Sequence, residues 1–276
     1  RDCMLDFSFM ESSVNSKKVF SKRLALGAAL LIGAMMFTAC GDEGASAKDD
    51  DEKGSSFPGV VTYGTLEDAR DGQTYKTVTI GSQTWMAENL NYAYKGVKFR
   101  EGSDYESDSI SWCYKNSLDS CAKYGRLYTW AAAMDSAAQF LTAGKGCGFG
   151  KTCSFRGTVR GVCPEGWHLP NDTEWNTLWN AVGGTDVAGA KLKSTSGWYG
   201  DGDGTDSYGF AVLPVGYRFT DGDYSRTDLD AYFWSSSEFS NSYANDWNFN
   251  FDYEYVTPYG SNKNSGFSVR CLKDSK

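Results

Sequence analysis

The clearest pattern of apolar and polar positions lies at residues 161–184, GVCPEGWHLPNDTEWNTLWNAVGG. Trp175, Leu178, Trp179 and Val182 recur at i, i+3, i+4 and i+7, the spacing that places side chains on one face of an α-helix. Pro170 and Asn171 open it, and Glu174 stands where its side chain can reach back to close a capping box. Gly183 and Gly184 supply the stop. A helix with two tryptophans on one stripe must bury that stripe, so the aromatic strands elsewhere are expected to cover it.

Those strands have period two. Residues 75–80 alternate with β-branched side chains, Gly81 and Ser82 give a two-residue turn, and residues 83–86 resume, which reads as a hairpin. In residues 247–255, Trp247, Phe249, Phe251, Tyr253 and Tyr255 alternate with Asn248, Asn250, Asp252 and Glu254, so the rings are expected in the core. A last strand sets Phe267, Val269 and Cys271 against Ser268, Arg270 and Leu272, and a short one is expected at 210–213. Thr129 caps a second helix with Trp130, Ala133, Met134 and Ala137 on one face. Stretches 95–123, 140–160 and 194–209 read as loops rich in Gly, Ser and Asp. Two helices among antiparallel strands give an α+β class.

The N-terminal region follows different rules. Lys17, Lys18, Lys22 and Arg23 precede an unbroken apolar or small run of 14 residues, 24–37, too short to span a bilayer. It ends in Phe37-Thr38-Ala39-Cys40, which resembles a bacterial lipobox, so residues 10–39 read as a lipoprotein signal peptide and Cys40 as the lipid attachment site. Residues 1–9, upstream of Met10, read as a mis-assigned start. Residues 40–57 carry the acidic tether: 41–56, GDEGASAKDDDEKGSS, sets six acids against two lysines with no large apolar side chain. The folded domain is expected over 58–276. After residue 39 the chain holds 22 basic and 32 acidic residues, a net charge of −10. That balance argues against nucleic acid and against attraction to anionic lipid heads. Membrane attachment then rests on the lipid, with an envelope location, outer membrane or cell surface.

CPEGWHLPNDTEW at 163–175 resembles the central motif of the Fibrobacter succinogenes major paralogous domain, a family of bacterial surface lipoproteins. Further resemblances follow in order: IGSQTWMAENLNY at 80–92, YGRLYTWAAAM at 124–134, DSYGFAVLPVGYR at 206–218, FWSSSE at 233–238 and GFSVRCLKD at 266–274. The family is similar to C-type lectin-like folds and, more distantly, to formylglycine-generating enzymes. The resemblance therefore implies a compact, disulfide-clipped C-type lectin-like domain and names no activity.

Leaving out Cys3 and Cys40, six cysteines remain: Cys113, Cys121, Cys147, Cys153, Cys163 and Cys271, an even number suited to an exported chain. Fifteen pairings are open. Cys113 with Cys121 and Cys147 with Cys153 would each clip one loop, leaving Cys163 for Cys271. No two cysteines have the gap of a zinc knuckle.

Catalytic groups are sparse. His168 is the single histidine and, between Trp167 and Leu169, reads as structural. No pair of carboxylates stands out among 35 acids. Formylglycine-generating relatives rely on reactive cysteines near the domain end, where this chain has only Cys271. Asp201, Asp203 and Asp206 in DGDGTD are candidate calcium ligands, although the spacing departs from the EF-hand. Trp198 and Tyr199 in SGWYGDGDG, aromatic beside carboxylates, are candidates for stacking on a sugar. The expectation is a non-enzymatic, lipid-anchored display of a binding module for polysaccharide or an envelope protein, with no cofactor other than calcium in view. An envelope enzyme and a ligand-free coat protein are the rivals.

Overall fold

A computed structural model describes residues 61–95, 111–155 and 157–275, all within a compact unit spanning Gly54–Lys276. The signal peptide, Cys40, the tether and the start of the domain near Pro58 lie outside the described residues. Among the described residues the fold is α+β: four α-helices among antiparallel sheets, clipped by three disulfides.

The larger sheet runs β1 (Thr62–Asp68), β2 (Gln73–Ile80), β3 (Gln83–Met86), β12 (Leu272–Lys273) and β6 (Trp167–His168), in that spatial order and antiparallel throughout. The hairpin over residues 73–86 forms as its turn chemistry requires, with Gly81 at φ 60°. β1 was not foreseen. It is an edge strand exposed along most of its length, so it carries no apolar alternation to read. A second sheet holds β9 (Asp230–Glu238), β10 (Tyr243–Asn250) and β11 (Val256–Asn262), with β10 central. Two short pairs complete the strands, β4 (Ser111–Trp112) with β5 (Leu127–Tyr128), and β7 (Tyr217–Arg218) with β8 (Tyr224–Ser225).

Helix α3 (Asp172–Val182) is built as its sequence demands. The Asn171 side chain accepts from the Glu174 amide at 3.0 Å, and Glu174 accepts from the Asn171 amide at 2.9 Å. Gly183, at φ 104°, ends the helix in a left-handed conformation that a side chain would strain. Trp175, Leu178, Trp179 and Val182 are all buried. Trp175 packs 4.7 Å from Trp85 of the hairpin, and Trp179 meets Trp247 edge-on at 5.0 Å. Each indole removes some 150–250 Å² from water, worth about 4 kcal/mol or more of gross transfer energy.

Two of the other helices were hidden in the sequence. α1 (Leu118–Tyr124) lies in a stretch that reads as loop, and α4 (Thr185–Leu192) follows the glycine pair directly. α4 buries only Ala188, Gly189 and Leu192, too thin a stripe to announce itself; Gly189 lies where a Cβ would fall 2.5 Å from the Glu254 carbonyl. α2 (Trp130–Ala133) is capped by Thr129 as expected but stops after one turn. The cause is Asp135, buried and at φ 57°, whose carboxylate accepts from the amides of Gln139, Phe140 and Leu141 and from the Tyr94 hydroxyl. Ala137 therefore leaves the helical face.

Two strand expectations are corrected. The alternation over 247–255 does not continue as one strand: β10 ends at Asn250, Trp247 and Phe249 are buried, and Tyr253 and Tyr255 turn outward, stacked on each other at 4.6 Å. The Lys193 ammonium binds the carbonyls of Asn250, Phe251 and Tyr253, which draws this backbone out of the ladder. At 210–213 only Val212 makes a β-bridge, to Lys193.

The C-terminal segment is the stitch between the sheets. Met86 and Leu90 donate to the carbonyls of Cys271 and Val269 on one side, while Ser268 donates to Tyr232 and accepts from Trp234 on the other. Arg270, on the expected polar side of a strand, is thereby buried. The disulfides are Cys113–Cys121, Cys147–Cys153 and Cys163–Cys271.

Candidate functional site

The loop singled out from sequence divides in two. Trp198 is buried, correcting the expectation of an exposed ring: its Nε1 donates to Ser194 Oγ at 3.1 Å and to the Val212 carbonyl at 3.2 Å. Tyr199 is exposed, edge-on to Phe251 at 5.5 Å. The three aspartates do not converge. Asp203 accepts from the Trp198 amide at 3.0 Å and raises the pKa of Lys193, which burial pushes down. Asp206 accepts from the Ala211 amide at 2.8 Å and acts on Arg270 instead, while Asp201 is exposed. Among the described residues no group of three or more His, Cys, Asp or Glu side chains comes close enough to hold a metal ion. The Lys193 ammonium, caged by three carbonyls and 5.1 Å from the Trp198 ring centroid, supplies the positive charge there.

His168 is buried with both ring nitrogens engaged, Nδ1 at 2.7 Å from Asp274 Oδ1 and Nε2 at 2.9 Å from Glu174 Oε1. No lone pair is left for a substrate. The six cysteines are all in disulfides, so Cys271 offers no thiolate.

Two concave features stand out among the described residues; the first shares none of these residues and the second includes Asp206. The first is a cleft of about 240 Å³ lined by Tyr217, Phe219, Tyr232, Tyr259 and Phe267, with Ser261, Asn262 and Ser265 as its polar members. Tyr232 and Phe267 stack at 4.9 Å, Tyr217 stands edge-on to Tyr232 at 5.2 Å, and Phe219 edge-on to Tyr217 at 4.6 Å. Phe219 and Tyr259 remain 40% and 52% exposed. Burial pushes the Tyr217 and Tyr232 hydroxyls up, so both stay protonated donors. Beneath this sheet face Asp246 pairs in register with Trp234 and Tyr259 and is fully buried. Neither of its oxygens closes a hydrogen bond among the described residues. Burial raises its pKa to about 7, against a pull downward from Ser261. Sequence reasoning missed this cleft because its rings come from four separate segments with no shared periodicity.

The second feature is a groove of about 490 Å³ between β2, the segment after β3, the end of α1 and the 206–213 loop. Its lining includes Gln73, Asn91, Glu88, Asp206 and the buried Arg270. Tyr63 lies across Gly209 at one edge, where a Cβ would meet its ring at 2.3 Å. The groove and the cleft share no residue.

No curated protein and no solved structure gives a significant match to the chain. Residues 78–273 match the family model described as the Fibrobacter succinogenes major domain. That span contains all three disulfides, α3 and the whole aromatic cleft, and the chain belongs to this family.

Proposed function

We propose that the chain is a lipid-anchored, exported envelope protein whose lectin-like domain binds a glycan in the aromatic cleft. The observation that carries this reading is the convergence of five aromatic rings with hydroxyls and an amide on one open surface. Rings offer flat apolar faces to the C–H face of a sugar, and the neighbouring Ser261, Asn262 and Ser265 suit its hydroxyls. The envelope location rests on the basic stretch, apolar run and lipobox-like Phe37-Thr38-Ala39-Cys40 of the sequence. Retention of the purified chain on insoluble cell-wall polysaccharide tests the reading. Tyr259→Ala and Phe219→Ala should each weaken retention at unchanged melting temperature; retention equal to the wild type would refute it.

A hydrolytic reading draws on one observation, that Glu88 and Asp206 both line the groove. Both carboxylates are already tied to the backbone, Glu88 to the Lys76 amide at 2.7 Å and Asp206 to the Ala211 amide, which favours binding over catalysis. Release of new reducing ends from polysaccharide, abolished by Glu88→Gln, would reverse that preference.

A further inference from the structure

Arg270 is 1% exposed and lines the groove. Its Nε donates to Asn89 Oδ1 at 2.8 Å, one terminal nitrogen to the Phe210 carbonyl and the other to the Ala211 carbonyl at 2.9 Å. The guanidinium stands 4.4 Å from the Phe210 ring centroid and 5.4 Å from that of Phe233. A guanidinium carries five N–H groups. Among the described residues three are used, all on neutral oxygens, which leaves one on each terminal nitrogen. Among the described residues no carboxylate lies within ion-pair distance of it. A buried charge without a counter-charge is costly to fold, by several kcal/mol in general. Burial pushes its pKa down to about 9, so it stays cationic at neutral pH.

The surrounding chain accepts strain to hold it. Asp206 and Ala211 sit at φ 44° and 49°, in the left-handed region, and the Ala211 amide is pinned to Asp206. That conformation presents the Phe210 and Ala211 carbonyls to the guanidinium. Asn89 is fixed in turn by donating to the Tyr124 carbonyl at 2.8 Å. The result is a rigid cation at the base of a cavity sized for a small ligand.

We propose that this groove binds a monoanionic, hydroxylated ligand of the uronic-acid class, its carboxylate received by the two unused N–H groups of Arg270. Asn91 Oδ1, which closes no hydrogen bond among the described residues, and the carboxylates of Glu88 and Asp206 match hydroxyls on such a ring. The same two carboxylates disfavour a phosphate dianion, since each added negative charge faces both of them. Exposed Lys76 and Lys123 line the groove and favour the approach of an anion.

Calorimetric titration of the purified chain with galacturonate, with galactose and inorganic phosphate in parallel, tests this. Galacturonate should bind at least about tenfold tighter than either. Ala122 is exposed on the groove wall, so Ala122→Trp should abolish galacturonate binding without lowering the melting temperature. Tyr259→Ala, in the cleft, should leave it unchanged, which separates this site from the glycan reading above. Absence of galacturonate binding, equal affinity for galactose, tighter phosphate binding, or full binding by Ala122→Trp would each overturn the proposal.

Discussion

His168 Nδ1 stands 2.7 Å from Asp274 Oδ1, and the opposite nitrogen reaches Glu174, so one imidazole fastens the segment after β12 to the first turn of α3. Burial works against its charged form, but the hydrogen bonds to Glu174 and Asp274 outweigh it and the pKa is raised above the ordinary 6.5. Its stabilisation is complete below pH 6.5 and fades as pH rises through the raised value. Glu174 behaves oppositely. Burial alone would raise its pKa, but His168 and the Asn171 amide hold it below 4.5, so its contribution fades as pH falls through the lowered value. His168→Gln should lose on the order of 2 kcal/mol near pH 6 and flatten the alkaline decline, as read by thermal melts across pH. A decline of unchanged slope would remove His168 as its source.

Asp246 gives a second pH signature. Its folded pKa of about 7 exceeds the ordinary 3.8, so the folded state favours the protonated form and stability is lost as pH rises between those values. Asp246→Asn should melt higher than the wild type at pH 8 and close to it at pH 4. Equal melting at both pH values would show that the carboxyl is solvated in the folded protein.

The Cys163–Cys271 bond closes a separation of 108 residues, for which the chain-entropy model gives roughly 4 to 5 kcal/mol. Cys271→Ser should cost about 2–5 kcal/mol, more than Cys113→Ser, whose bond spans a separation of only 8. Denaturant midpoints compare the two, and peptide maps without reduction would reveal any free thiol.

Trp198→Ala should melt several degrees lower and Tyr199→Ala should not, because only the first ring is buried and hydrogen-bonded. Calcium or a chelator should move neither protein, since the Lys193 ammonium already meets the carbonyls of Asn250, Phe251 and Tyr253. A chelator shift of more than a few degrees would show that Asp201, Asp203 and Asp206 hold an ion.

Mass spectrometry of the mature N-terminus should find a lipid-modified Cys40, and Cys40→Ala should leave the chain unprocessed or released from the membrane. An unmodified start at another residue would remove the anchor from the proposed function.

Elements whose cause is local were legible. The Asn171–Glu174 box, the Trp175 stripe and the Gly81 turn each depend on residues a few positions apart, and all three form. The elements that misled are set by distant partners. Tyr253 and Tyr255 follow a strand alternation that the Lys193 side chain interrupts, and Ala137 follows a helical one that ends at Asp135, whose carboxylate is also held by the distant Tyr94 hydroxyl. The candidate sites belong to the second kind. Arg270 sits on a polar alternation that predicts solvent, and only the pairing of its segment on both sides puts it in the interior. Tyr259 becomes part of the aromatic cleft only because β11 returns beside β10, which brings it to the same cleft as Phe267.

The place of β12 also sets an order in time. Leu272 pairs with Trp85 on one side and His168 on the other, so the two flanks of the larger sheet have no common strand until this late segment is in place. The domain must then close late and all together, rather than strand by strand behind the growing chain. Until that moment the tryptophan faces of the hairpin and α3 have no finished core to enter, and a chain stalled before residue 272 would present them to whatever lies nearby.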